Sequence, residues 1–337
     1  MRALAECRGC PDDRDIGGVD ATFRLSLSPA RRLPGSNVQS HRTWVDGVEL
    51  HWTEQGTGSP LLILHGLGDS QHTWGAVAAH LARKHRVLSL DLAGCGLSAR
   101  PDATYGLDWH ARLVAAWLDR IDVRELDVLG HSYGGGVALW LLLHRASSIR
   151  KLALVAPGGL GLQVSPLLRL SALLSLFEQG GQRLIGPITQ LLLRCFGGSL
   201  SASQRRMLYR MNTRPGTARA FARTVRDVID WRGQTRHVLQ RVHEVAELPS
   251  IALFWGERDR VIPVEQGEAL CGLLENCSLW RLPGAGHFLH WEAPQVLAEA
   301  VLAYLNGPHR GRSRLVKQHA AKFRPAPRER RIRESVA

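Results

Sequence analysis

The stretch Leu126–His144, LDVLGHSYGGGVALWLLLH, decides how the rest of the chain is read. Its first residues form a short apolar strand pattern, and Tyr133 onward reads as an apolar helix. Between them Gly130-His131-Ser132-Tyr133-Gly134 allows only a sharp turn. Such a turn strains the serine backbone, and small residues two before and two after it avoid the clashes that follow. Ser132 is therefore expected on the tip of a strand–turn–helix corner. A lone G-x-S-x-G is a weak signal; the buried strand before it and the helix after it carry the reading.

Working outward, similar apolar runs recur at Leu61 to Leu64, Val87 to Leu90, Leu152 to Val155 and Ile251 to Trp255. Unbroken runs of this length suit strands buried on both faces of a parallel sheet. Helix-length segments separate them, as at Trp74 to Arg83 and Leu107 to Asp119, so the class is α/β with a mainly parallel sheet. Thr43 to Val45 and Val48 to Thr53, joined by Asp46-Gly47, read as an opening hairpin. Residues 158–246 break the alternation, with Leu/Arg segments at spacings of three and four and no strand-like run. They are expected to form a helical insertion, the cap or lid, between two parts of a core at 41–157 and 247–305.

A serine hydroxyl is a poor nucleophile near neutral pH and needs a base, itself oriented by a carboxylate. After the strand IALFW comes Gly256-Glu257-Arg258-Asp259, and beyond the later strand SLWRL comes Gly284-Ala285-Gly286-His287. Asp259 is preferred over Glu257 because it lies further into the loop leaving its strand. His287 is preferred over His65, His131 and His290 because it alone follows both the acid and a strand through a glycine-rich loop. An attacked carbonyl also requires two donors for its oxyanion. The backbone N–H of Tyr133, at a helix start, and that of Leu67, in His65-Gly66-Leu67-Gly68, are the candidates.

Here the chain resembles the α/β-hydrolase superfamily, from about residue 43 to 305. The features are the HG-x-G loop with Trp74 downstream, the D-x-x-G-x-G-x-S turn at Asp91, Gly94, Gly96 and Ser98, the corner at Ser132, the acid loop at Asp259, and G-x-G-H-x-x-x-x-E-x-P at His287, Glu292 and Pro294. The resemblance implies an eight-stranded sheet with helices on both faces and a helical cap between strands six and seven. Haloalkane dehalogenases and epoxide hydrolases of similar outline use Asp at the corner, and Ser132 argues against both activities. His65, His131 and Asp91 are read as structural.

Composition narrows the function classes. The formal charge of +13 is uneven: residues 306–337 carry +8, residues 1–40 only +1, and the insertion +9. The basic tail and the N-terminal arm lack the apolar content for a core and are expected to be disordered. With 39 Arg against four Lys, the charge resembles codon bias more than a nucleic-acid footprint, and no nucleic-acid partner is expected. No signal peptide or membrane-spanning run is evident, so a cytoplasmic location is the default, with interfacial contact left open. Cys7 and Cys10 lack the second ligand pair a zinc site needs, and no metal or organic cofactor is implied.

The expected function is a serine hydrolase cleaving a small-molecule carboxylic ester through an acyl-enzyme. Carbon–carbon bond hydrolysis of a vinylogous diketone acid uses the same triad and stays open, as do thioesterase and cofactor-free peroxidase activities. The cap arginines Arg169, Arg183, Arg194 and Arg214 offer cations for a substrate carboxylate, none singled out, and suggest a preference for anionic or interfacial substrates. A non-catalytic binding protein of the same fold is the contrasting class, whose usual sign, a broken triad, is missing here.

Overall fold

A computed structural model describes residues 7–8, 38–174, 181–196, 200–238, 241, 244–245 and 247–308. The expected disorder of the arm and of the tail concerns residues lying almost entirely outside this set, as does Cys10.

Among the described residues eight strands of six or more residues form one sheet: β1 (Gln39–Val45), β2 (Val48–Gln55), β3 (Ser59–Leu64), β4 (His85–Leu90), β5 (Leu126–His131), β6 (Ile149–Val155), β7 (Ser250–Gly256) and β8 (Cys277–Leu282). Their spatial order is β8-β7-β6-β5-β3-β4-β2-β1, and the two-residue segment Cys7–Arg8 lies antiparallel along the outer edge of β8. Pairing is parallel from β4 through β8, while β2 runs antiparallel to both β1 and β4. The β1–β2 turn places Asp46 and Gly47 at φ 48° and 75°, the left-handed conformation a tight two-residue hairpin demands.

The apolar runs are continuous because each strand faces two cores. Leu62 and Leu64 pack with Val128, Leu152 and Leu253 beneath α2 (Leu107–Arg120) and α3 (Tyr133–Arg145). Their neighbours Leu61 and Ile63 point the other way, joining Leu129, Ala153 and Phe254 against α1 (Gly75–Leu81) and, near the end of the chain, α10 (Pro294–Asn306). Alternate side chains of one strand point to opposite faces, so no position in these runs meets water.

Between β6 and β7 the chain forms α4 (Pro166–Leu174), α5 (Gly181–Phe196), α6 (Ala202–Asn212) and α7 (Thr217–Val228). Arginines tie α6 and α7 to the loop that follows β4. Arg100 donates to the carbonyl of Met211 at 3.1 Å and to Thr217 Oγ1 at 2.8 Å. Arg214 donates to the Gly96 carbonyl at 2.8 Å, Arg219 to that of Arg100 at 3.0 Å and Arg223 to that of Ala103 at 2.8 Å. After β7 come α8 (Glu265–Cys271) and, beyond β8, the short α9 (Leu289–Glu292). A disulfide joins Cys271 to Cys277, closing the connection from α8 into β8.

Candidate active site

The carboxyl ends of β3, β5, β7 and β8 lie along one side of the sheet, with β6 between β5 and β7, and the loops leaving them build the site. Ser132, between β5 and α3, has φ 49° and ψ −118°, a conformation that side-chain-bearing residues rarely hold. Surrounding bonds enforce it: the Ser132 N–H donates to the Val155 carbonyl at 3.0 Å, and the Ser132 carbonyl accepts from Gly136 at 3.0 Å and Gly158 at 2.9 Å. The flanking glycines are there for space. A Cβ on Gly134 would sit 2.3 Å from the His65 carbonyl oxygen, and one on Gly130 would sit 2.8 Å from that of Gly134.

His287 Nε2 lies 3.0 Å from Ser132 Oγ, and His287 Nδ1 lies 2.8 Å from Asp259 Oδ2. The other Asp259 oxygen accepts from the N–H groups of Val261 at 2.7 Å and Ile262 at 3.0 Å, so the carboxylate is aimed by its own loop. Glu257, the alternative acid, is exposed and takes no part. The structure thus brings together the three residues preferred from sequence.

The three rival histidines, His65, His131 and His290, are buried supports. His65 Nε2 accepts from the Leu92 N–H at 3.0 Å. His131 Nε2 donates to the His287 carbonyl at 3.0 Å. His290 Nε2 lies 3.1 Å from Asp69 Oδ2, and its ring stacks on Trp74 at 4.4 Å between centroids. Burial lowers the pKa values of His131 and His290, the former well below the ordinary histidine range, so both rings are neutral near pH 7. Asp91 accepts from the N–H groups of Gln71 and Leu97 and lies 2.9 Å from His51 Nδ1, which gives it a loop-holding place.

Around Leu67, one of the two donors expected from sequence, Asp69 N–H closes a turn onto the Gly66 carbonyl at 3.3 Å, with Gly68 at φ 68°. A Cβ on Gly66 would be 3.4 Å from that of Ser132, so this turn stands beside the serine. Among the described residues no hydrogen bond takes the N–H of Leu67 or of Tyr133. Sequence reasoning missed Asn212, at the end of α6, whose Nδ2 donates to the Gly68 carbonyl at 2.7 Å. A lone Asn on a distant helix carries no local signal of that contact.

A cavity of about 360 Å³ opens onto Ser132 and His287. Its walls are mainly apolar, including Leu67, Leu168, Ile185, Leu208, Phe221 and Trp291. Among the described residues its one cation is Arg236, which is ion-paired to Asp227. Arg169, Arg183 and Arg214 do not line it, and the side chain of Arg194 lies outside the described residues. Asp69, His131 and His290 offer metal-ligand atoms all within 4.8 Å of one another, a cluster the sequence did not suggest. Asp69 and His290 are bonded to each other and His131 to the His287 backbone, while Nδ1 of each of these two histidines is buried without a partner.

A strained serine on a strand–helix corner, facing a histidine and an acid from later strand ends, defines an α/β sheet protein arranged for nucleophilic chemistry. The chain belongs to the α/β-hydrolase fold family, whose model matches residues 59–294. It is 30% identical over 298 residues to an uncharacterized protein of Mycobacterium tuberculosis, covering 84% of this chain and 85% of that one. It is 25% identical over 264 residues to 2-hydroxy-6-oxo-6-(2'-aminophenyl)hexa-2,4-dienoic acid hydrolase of Metapseudomonas resinovorans, with 77% and 88% covered. Among solved structures, a membrane phospholipase A described as a bacterial virulence factor superposes with a TM-score of 0.67 at 26% identity, covering 81% of this chain and 87% of that one. No helix among the described residues is long and apolar enough to cross a membrane.

Proposed function

We propose that the protein is a serine hydrolase that cleaves carboxylic esters of apolar acids through an acyl-enzyme. The observation that carries this reading is His287 within hydrogen-bond reach of both Ser132 and Asp259, at 3.0 and 2.8 Å. In the proposed reaction His287 Nε2 takes the Ser132 proton as Oγ attacks the ester carbonyl. The imidazolium that results is held by Asp259, and the N–H groups of Leu67 and Tyr133 receive the oxyanion. Collapse expels the alcohol with the proton returned by His287. A water deprotonated by the same ring then releases the acid. The apolar cavity supports an uncharged, hydrocarbon-rich acyl group, with α4–α7 acting as its cap.

Carbon–carbon bond hydrolysis is the second reading, favoured by the name of the Metapseudomonas relative. A dienoate substrate carries a carboxylate, and the pairing of Arg236 with Asp227 weighs against a free partner for it. Hydrolysis of p-nitrophenyl esters of increasing acyl length, by wild type and Ser132→Ala, tests both. The expected result is turnover that improves with chain length and is lost in the variant. Equal rates for the two proteins overturn the proposal, and turnover of a ring-fission dienoate but not of esters moves it to the second reading.

A further inference from the structure

Eight large apolar side chains are strongly exposed among the described residues, and six of them belong to residues 158–246: Leu162, Leu167, Leu170, Leu184, Leu191 and Trp231, at 45% to 71% exposure. They are not scattered. Leu167, Leu170 and Leu191 also line the cavity that reaches Ser132, so the outer apolar surface continues into it. Leu184 lies seven residues before Leu191 on α5, a spacing that puts both on one side of the helix. Trp231 sits in the turn Asp230–Gly233, and the residue after that turn, Gln234, bonds through its N–H to the Leu162 carbonyl at 2.9 Å.

Cations are interleaved with these side chains. Arg169 falls between Leu167 and Leu170, Arg183 precedes Leu184, and the Arg232 guanidinium lies 4.7 Å from the Trp231 ring. The segment has 13 Arg against four acids. The described acids are engaged: Asp227 with Arg236, Glu244 with Arg241, and Asp230 with the N–H groups of its own turn. A second copy of this chain would bring like charge onto like charge. An apolar surface studded with arginines suits instead a bilayer whose headgroups are anionic.

We propose that α4, α5 and the Trp231 turn dock the protein on anionic phospholipid membranes, with the mouth of the cavity toward the lipid. The docking stands without the ester-hydrolase reading; only the idea that the lipid phase supplies the substrate rests on it.

Vesicle flotation of full-length Ser132→Ala, which lacks the proposed nucleophile, measures docking without turnover. Phosphatidylcholine vesicles containing phosphatidylglycerol should bind about tenfold or more tightly than phosphatidylcholine alone. Replacing Leu162, Leu184 and Trp231 by Ser, none of which lines the cavity, should weaken that binding by about tenfold while leaving the melting temperature unchanged. The same three substitutions in the Ser132 protein should leave turnover of a short, soluble ester unchanged. The basic tail is intact in every variant. If the triple variant binds as before, the tail alone carries binding and the proposal falls. Absence of any vesicle binding, or a stable dimer that the triple substitution dissolves, overturns it as well.

Discussion

His131 donates from Nε2 to the main-chain carbonyl of His287 at 3.0 Å, so the residue before the serine holds the residue that the serine must meet. Serine and histidine come from different strands, and this bond links their two loops directly. His131→Ala should lower kcat on a soluble ester about tenfold with little change in KM, the loss of roughly one buried hydrogen bond in positioning. His131→Asn, whose amide can donate to the same carbonyl, should retain more activity. Steady-state kinetics of the two variants decide it; equal defects would show that the ring matters for packing alone.

Asp259→Asn should reduce kcat about 10⁴-fold, because the amide presents a donor where His287 Nδ1–H needs an acceptor. Glu257→Gln, altering only an exposed side chain, should stay within about twofold of wild type, a margin typical of surface changes. Comparing the two variants on one ester at saturating substrate separates the acids.

The Asn212 contact with Gly68 spans from α6 to the turn that presents the Leu67 N–H. Asn212→Leu is close in size and cannot donate. If Leu67 N–H receives the oxyanion as proposed, the change should cost about tenfold in kcat while the urea midpoint stays within error. A fall in midpoint with unaltered kcat would assign the contact to stability alone.

Gly134→Ala should destabilise the protein by about 3 kcal/mol or more, since overpacking against rigid groups is among the costliest single changes. The added methyl would meet main-chain oxygens of His65 and Leu64 at 2.3 and 2.4 Å, and neither is a side chain that can swing away. Urea denaturation of the purified variant gives the measurement; a midpoint equal to wild type would contradict the packing described for this corner.

Acid should unfold the protein partly through His110. Burial pushes its pKa down to about 4, while an exposed histidine titrates near 6.5. Between those values the unfolded chain binds the proton and the folded one does not. Its contribution is therefore complete above pH 6.5 and lost as pH falls toward 4, a change of about 3 kcal/mol for a shift of this size. Stability measured against pH should show a shallower acid slope in His110→Leu than in wild type. Identical slopes would remove His110 from the account.

The corner at Ser132 was legible because strand, turn and helix are contiguous there and the glycines mark the crowding. Asp259 and His287 were legible as polar residues leaving apolar strands, although Asp259 and Glu257 were separated only by a preference. Contacts made between distant loops were not legible: nothing near Asp69 points to His290, nor anything near Asn212 to Gly68. From sequence the arginines of 158–246 offer cations for an anionic substrate. Several instead hold backbone oxygens of the loop after β4, a role that depends on where the helices land. The pairing of Cys271 with Cys277 is likewise not legible, because it depends on α8 folding back beside β8.

The bonds from Arg214, Arg219 and Arg223 to the carbonyls of Gly96, Arg100 and Ala103 have an evolutionary consequence. A peptide oxygen is present whatever residue occupies the position, so this seam recognises the course of the loop and not its spelling. Side-chain substitution in the loop leaves all three acceptors in place, so the helices stay moored to the loop after β4 whatever its residues.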